Sequence, residues 1–305
     1  MTDGPLLTVV VTIVDGGNVL HDCLNALVRQ QNPPLMQILV PYDASVAAKT
    51  EALRSEFPGM HFPGMGVVTP QRPIGTAAGQ HELYDRRRSA GLHAAAGDLV
   101  AIIEDRGVPR LDWARSVVRL HEQPYGVIGG AIEGARRDTL NWAFYVCDFG
   151  RYGLPFNGGP ATWVSDVNVS YKRRLIDETR ELWKDRFHEP IVHWALLERG
   201  ETLYLSPEIV VEHRRPPASL AVLISERFHW GRLFGHIKAT RMRLPERLGL
   251  AALWPVLPWL LLVRHARTQY RKGNFIRFLR AAPAVAILLV AWVTGEVWGY
   301  ITNRS

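Results

Sequence analysis

The chain has 305 residues, with 36 Lys/Arg against 29 Asp/Glu and a formal net charge of +7. At 47% apolar and 21% charged residues it is long and apolar enough to bury a core, which excludes a disordered chain. Its two cysteines, Cys23 and Cys147, exclude a disulfide scaffold and supply no zinc-ligand spacing.

The start, MTDGPLLTVVVTIVD, has no basic region ahead of its apolar run, so a secretory signal is not expected. Leu6–Val14 is a continuous β-branched run, as a buried parallel strand requires. A turn at Asp15–Asn18 leads to a helix over Val19–Gln31, with Leu20, Leu24, Leu27 and Val28 on one face. Pro33 and Pro34 stop it. A second strand is predicted at Met36–Val40, a second helix at Ala44–Phe57 and a weaker third strand at Gly66–Thr69. Glu82–Ala96 reads as a helix closed by Gly97, and Leu99–Ile103 as a buried strand ending at Glu104-Asp105. Strands alternating with helices imply an α/β fold on a doubly wound, mainly parallel sheet, whose ligands bind at the carboxyl ends of the strands. Asp15, Asp43, Glu104 and Asp105 then share one rim.

The next stretch is less regular. Helices are predicted at Trp113–Glu122, Lys172–Trp183 and Pro190–Arg199, the last ending at Gly200. Strands are predicted at Gly126–Glu133, Val167–Tyr171, Thr202–Ser206 and Ile209–Val211, and Asn157–Pro160 is a loop. The positive charge is confined to the end of the chain: residues 238–305 hold 11 Lys/Arg and only two acids, Glu246 and Glu296. This tail also carries the apolar runs Gly249–Val263, broken by Pro255 and Pro258, and Ala281–Ile301, which holds one charge. A span needs roughly 20 residues. The second run is therefore long enough to cross a bilayer, and the first is expected to dip in or lie flat. A basic, apolar, Trp-rich tail is suited to anionic lipid. The basic linker between the runs, with Arg264, Arg267, Arg271, Lys272, Arg277 and Arg280, belongs on the cytoplasmic side.

Four segments in order, VVVTIVDGGNVLHDCLNALVRQQNPPLMQILVPYDAS, YDRRRSAGLHAAAGDLVAIIEDRGVPRLDW, DVNVSYKRRLID and HEPIVHWALLERGETLYLSPEIVVEH, resemble family 2 glycosyltransferases. The resemblance covers roughly residues 6–235 and implies a GT-A-like fold. The tail is similar to that of members ending in membrane segments. The domain reading is a glycosyltransferase domain over 1–237 (a nucleotide-binding half 1–105 and an acceptor half 106–237) and a membrane-associated helical tail over 238–305.

The resemblance implies a nucleotide-diphospho-sugar donor, a lipid-linked or cell-envelope acceptor, membrane lipid as a partner and no nucleic acid. It places Asp15 and Asp43 at the base and ribose, Arg88 at the diphosphate and Glu104 beside it. Asp105 and His213 would hold Mg2+ or Mn2+, although Arg106 stands where the family has a further acid. Counting back from Gly200, Glu189 takes the place of the catalytic base, with His188 replacing the preceding acid and Asp185 as the fallback. Asp166, Asn168 and Trp230 fall on the acceptor side. The rival expectation is a catalytically degenerate member of the fold, a nucleotide-binding partner or scaffold, suggested by Arg106, His188 and Tyr42. A nucleotidyltransferase is disfavoured because Asp15-Gly16-Gly17-Asn18 lacks the phosphate-loop lysine.

Overall fold

The computed structural model describes residues 4–74, 76–135 and 138–302. The chain folds as two compact units. The first runs up to Pro70 and includes His81–Ala135 and Leu154–Arg214. The second comprises Gln71–Gln80, the 136–153 segment and the chain from Arg215 onward.

The first unit is built on β1 (Leu7–Thr12), whose six residues are all buried. β1 pairs in parallel with β2 (Met36–Leu39) and β3 (Leu99–Glu104). Helices α1 (Asn18–Val28), α2 (Ala47–Glu56) and α3 (Ala77–Ala94) provide the crossovers. The remaining strands are β4 (Gly107–Pro109), β5 (Val127–Gly134), β6 (Gly159–Ala161), β7 (Asn168–Lys172) and β8 (Leu203–His213), with helix α4 (Trp113–His121) between β4 and β5. The sheet order is β2-β1-β3-β7-β5-β8-β4, with β6 on β8. β7 runs antiparallel to both β3 and β5, and β5 is parallel to β8. A parallel half is thereby joined to a mixed half. The core against α3 and α8 (Glu189–Glu198) contains Val10, Ile102, Tyr171, Trp183, Phe187 and Leu196.

Several expectations are corrected. Gly66–Thr69 is not a strand: the chain beside β2 makes only isolated bridges, Leu39 with His61 and Tyr42 with Gly64. Prolines at 58, 63 and 70 deny that stretch ladder donors. The two short strands after Gly200 are one strand, β8, whose register against β5 shifts between Gly130 and Ala131. The helix over 172–183 splits into α6 (Arg173–Glu178) and α7 (Arg180–Trp183). At the break Thr179 Oγ1 donates back to the Leu175 carbonyl at 2.7 Å, competing with the helical ladder. Gly97 is not a helix cap, since α3 ends at Ala94. A Cβ there would meet the Thr8 amide nitrogen at 2.6 Å, so glycine permits a backbone crossing. Gly200 does take a left-handed φ of 84°, just past α8. Part of the 157–160 loop is β6.

The second unit is helical: α5 (Thr139–Phe149), α9 (Leu220–Ala239), α10 (Leu244–Ala252), α11 (Leu257–Arg271) and α12 (Phe275–Thr302). Among the described residues α12 is the one helix long and apolar enough by itself to cross a membrane, with a mean hydropathy of 1.8. α10 and α11 meet that test only as a pair, bent by 68° at a break containing Pro255. α9 and α12 touch through glycines four apart on each helix: a Cβ on Gly231, Gly235, Gly295 or Gly299 would run into the partner backbone. Beside this crossing, Trp142, Phe144, Leu223, Phe278, Val285 and Leu288 form the unit's core. Replacing Gly295 by Leu is therefore expected to cost about 1–3 kcal/mol or more by overpacking. Gly249→Ala on α10, where a Cβ meets nothing within 4 Å, should instead stabilise by about 0.5–1 kcal/mol. Thermal melts in detergent check both, and equal melts for the two variants would refute the glycine crossing.

Candidate active site

The site grows from the turn after β1 and the rim of β3. Gly16 and Gly17 have φ of 69° and 59°, which turns the backbone amides of Asp15 and Gly16 onto the Asp105 carboxylate. Both donate to Asp105 Oδ2, at 3.0 and 2.7 Å. The other oxygen, Oδ1, is buried without a hydrogen-bond partner. Burial pushes the Asp105 carboxyl up to about 6, against the pull of the Gly16 amide. Arg106 grips Asp15 with two hydrogen bonds of 2.7 Å, Nε to Oδ2 and Nη2 to Oδ1.

α3 delivers two buried arginines. Arg87 donates from Nε to Asp43 Oδ2 at 2.7 Å, and also to the Ile13 carbonyl and Ser45 Oγ. Asp43, 1% exposed, also accepts the Ser45 amide and is a fixture of the wall at the end of β2. Arg88 is the centre of a larger cluster. Its Nη1 donates to Asp85 Oδ1 at 3.1 Å, and its Nη2 reaches Glu104 Oε1 at 3.0 Å and Asp166 Oδ2 at 2.6 Å. Glu189, the first residue of α8, lies beside Asp166 and feels the Arg88 charge. Burial, then Asp166, raises the Glu189 carboxyl well above its usual range despite Arg88. Glu104 is raised by the same two causes. Tyr84, on α3 between the two clusters, is pushed up to about 12 by burial, with Arg106, Glu104 and Asp15 all acting on it.

Thus Arg88, Glu104, Asp166 and Glu189, drawn from four places in the sequence, converge, and Asp15, Asp105 and Arg106 form a second knot. Asn168 does not join them: it is 1% exposed on β7. It donates to the Ala131 and Ile209 carbonyls and accepts from Trp113 Nε1. It is a sheet staple with no group left for an acceptor, which corrects its expected role. The fallback acid Asp185 is exposed. His213 ends β8 opposite Gly107. Trp230 belongs to the second unit, on α9, and is 37% exposed.

Mg2+ and Mn2+ keep several waters and are held by one or two carboxylates together with a substrate's phosphates. Asp105 Oδ1, buried without a hydrogen-bond partner, is an oxygen that could serve such an ion, while Glu104 Oε1 is bound to Arg88 and Asp15 to Arg106. Among the described residues the three-ligand cluster is a different one, His81, Asp85 and His188, with neither Asp105 nor His213 in it. Sequence reasoning misses His81 and Asp85: the helix predicted from Glu82 starts at Ala77 in the structure, which puts both residues on it at a spacing of four.

No family model matches the sequence, and no curated protein matches it. Solved structures do. The chain is similar to the mannosyltransferase PcManGT from Pyrobaculum calidifontis, solved with GDP-Man and Mn2+. The identity is 15%, the coverage 97% of this chain and 88% of that one, and the TM-score 0.57. It also matches S. aureus TarS 1–349 solved with UDP-GlcNAc, at 11% identity, 95% and 90% coverage and a TM-score of 0.49. The class defined is a mixed α/β, glycosyltransferase-like (GT-A-like) fold that carries an apolar C-terminal helix.

Arg88→Ala would strand several buried carboxylates and should cost about 3–5 kcal/mol. Arg119→Ala, which breaks an exposed pair with Glu208, should cost less than about 1 kcal/mol. Denaturant unfolding measures both. An Arg88 cost as small as that for Arg119 would show that the cluster does not hold the first unit together.

Proposed function

We propose that the protein is an inverting, family 2-like glycosyltransferase. It would move a sugar from a nucleotide-diphospho-sugar to a lipid-linked or cell-envelope acceptor. The observation that carries this reading is the convergence of Glu189, Asp166 and Glu104 on Arg88, at the carboxyl end of β3 in a glycosyltransferase-like fold. PcManGT, the neighbour with that fold, was solved with a nucleotide sugar, which supports the donor class.

In this reading Asp15 and Asp43 contact the base and ribose. Glu189 is the base: it takes the proton of the acceptor hydroxyl as that oxygen bonds to the anomeric carbon. The bond from that carbon to the diphosphate breaks on the opposite side, and its electron pair leaves with the phosphate oxygen. Arg88 and Arg106 meet the charge that develops on the leaving group, taking over contacts now made by Glu104, Asp166 and Asp15. Asp166 lies beside the base, where an acceptor hydroxyl is oriented. Residues 1–237 form the transferase part. Residues 238–305 hold it at the cytoplasmic membrane, facing the cytoplasm, where a lipid acceptor is present. Trp230 would meet the acceptor or the bilayer interface.

A second reading has a specific observation in its favour. Both arginines that would meet the diphosphate are already paired with carboxylates. A degenerate member that binds a nucleotide without turnover would keep them so.

A screen of UDP- and GDP-sugars against the detergent-purified chain, with membrane lipid extract, separates the two. Transfer or donor hydrolysis should occur in the wild type. In Glu189→Gln kcat should fall by about 10²–10⁴-fold with nucleotide affinity retained. Binding without turnover in the wild type would select the scaffold reading. Absence of nucleotide binding would sink both.

A further inference from the structure

We propose that His81, Asp85 and His188 form a binding site for a single divalent transition-metal cation of the Zn2+ class, placed beside the base. The three ligand atoms lie within 4.8 Å of one another. Both imidazoles direct Nδ1 at the same oxygen, Asp85 Oδ2, at 3.3 Å from His81 and 3.2 Å from His188. The rings meet at 76°, so they approach that oxygen from different directions, as ligands of one ion do.

Two elements build the site. His81 and Asp85 are one helical turn apart on α3, and His188 is the N-cap residue of α8. The Phe187 amide donates to the Asp85 carbonyl at 3.0 Å and pins the loop before α8 onto α3. Asp85 is oriented from behind by Arg88 on its other oxygen, the outer-shell support that metal-bound carboxylates have. His81 and Asp85 are buried and His188 is 16% exposed, which leaves one side for a further ligand such as water or a phosphate oxygen.

Charge argues the same way. Asp85, Glu104, Asp166 and Glu189 surround one guanidinium, more carboxyls than a single cation keeps ionised. A divalent cation on the imidazole side favours their ionised forms. Two imidazole nitrogens and one oxygen suit Zn2+, Co2+ or Cu2+ over the all-oxygen ions Mg2+ and Ca2+. The site is thus neither at Asp105 nor selective for a hard cation. An ion here would fix the His188–Glu189 backbone, making the three ligands positioning residues for the proposed base.

The test uses the full chain in detergent, stripped with chelator and free of donor and acceptor. Zn2+ is titrated by calorimetry and Co2+ by its ligand-field absorption. One ion per chain is expected, unaffected by a large excess of Mg2+. His81→Ala and His188→Ala, with melting curves matching the stripped wild type, should each weaken binding at least tenfold. Asp105→Asn and His213→Gln should leave it intact. Cu2+ EPR of the wild type should show hyperfine coupling to two nitrogens, a readout that needs no variant. Absence of stoichiometric uptake, a spectrum without nitrogen coupling, or uptake lost with Asp105 but kept without His81 would each overturn the proposal. Because no sugar transfer is measured, the result stands or falls separately from the proposed function.

Discussion

One buried guanidinium organises the first unit. Arg88 is 2% exposed, and an ion so far from water persists only when paired and hydrogen-bonded. Its partners come from α3, from the end of β3, from the segment before β7 and from the start of α8. The parallel half of the sheet, its antiparallel neighbour and the helix that begins at Glu189 are therefore fixed by one charge. The same arrangement sets the acid–base character of the site. Burial, and then the neighbouring Asp166, raises Glu104 and Glu189 despite Arg88, while Asp85, with two imidazoles beside it, is lowered. Similar groups a few ångströms apart are thus given different proton affinities by position alone.

The neighbouring knot follows the same logic with a different solution. The turn after β1 cannot close with ordinary backbone angles. Two glycines supply left-handed φ, and the Asp105 carboxylate accepts the amides that the turn exposes. Arg106 then balances Asp15, as Arg87 balances Asp43. Each of the three strand-end acids expected at the nucleotide, Asp15, Asp43 and Glu104, is held by its own arginine. A site designed around anionic ligands and one designed around an acidic metal cage differ in this respect: here the fixed positive charge at the rim is built from guanidinium groups.

The parts legible in the sequence are those where burial writes an unambiguous pattern. β1 and β3 are covered on both faces, so their runs are continuously apolar, and the acids that end them stand out. The 11-residue β8 reads as two strands because Pro207 and Glu208 interrupt it where its register shifts. β4 and β6, three residues each, carry no periodicity at all. Asn168 shows why a residue type is not a role. An amide beside a predicted acceptor segment looks like a ligand, but its carbonyl and amine are consumed by Trp113, Ala131 and Ile209 across the sheet. His188 is legible only as a departure from a familial acid. Its meaning depends on Asp85, 103 positions away, which no local pattern connects to it.

The helical unit shows that an apolar run need not be a bare anchor. One face of α12 is occupied: its glycines seat against α9, and Glu296 accepts from Lys238, Trp292 and Tyr300. The charge that would be costly in a lone span is thereby satisfied inside the unit. The opposite face exposes Ile276, Leu279, Ile287, Val290, Trp298 and Ile301, a stripe at helical spacing along the whole helix. α11 repeats the division on a smaller scale: exposed Trp259, Leu260 and Val263 give way one turn later to exposed Arg264, Arg267 and Arg271. Water does not favour an apolar surface of that extent, and a bilayer with anionic headgroups does. The membrane placement proposed for the tail therefore rests on what its helices leave uncovered once their polar groups are paired, which is stronger ground than hydropathy alone.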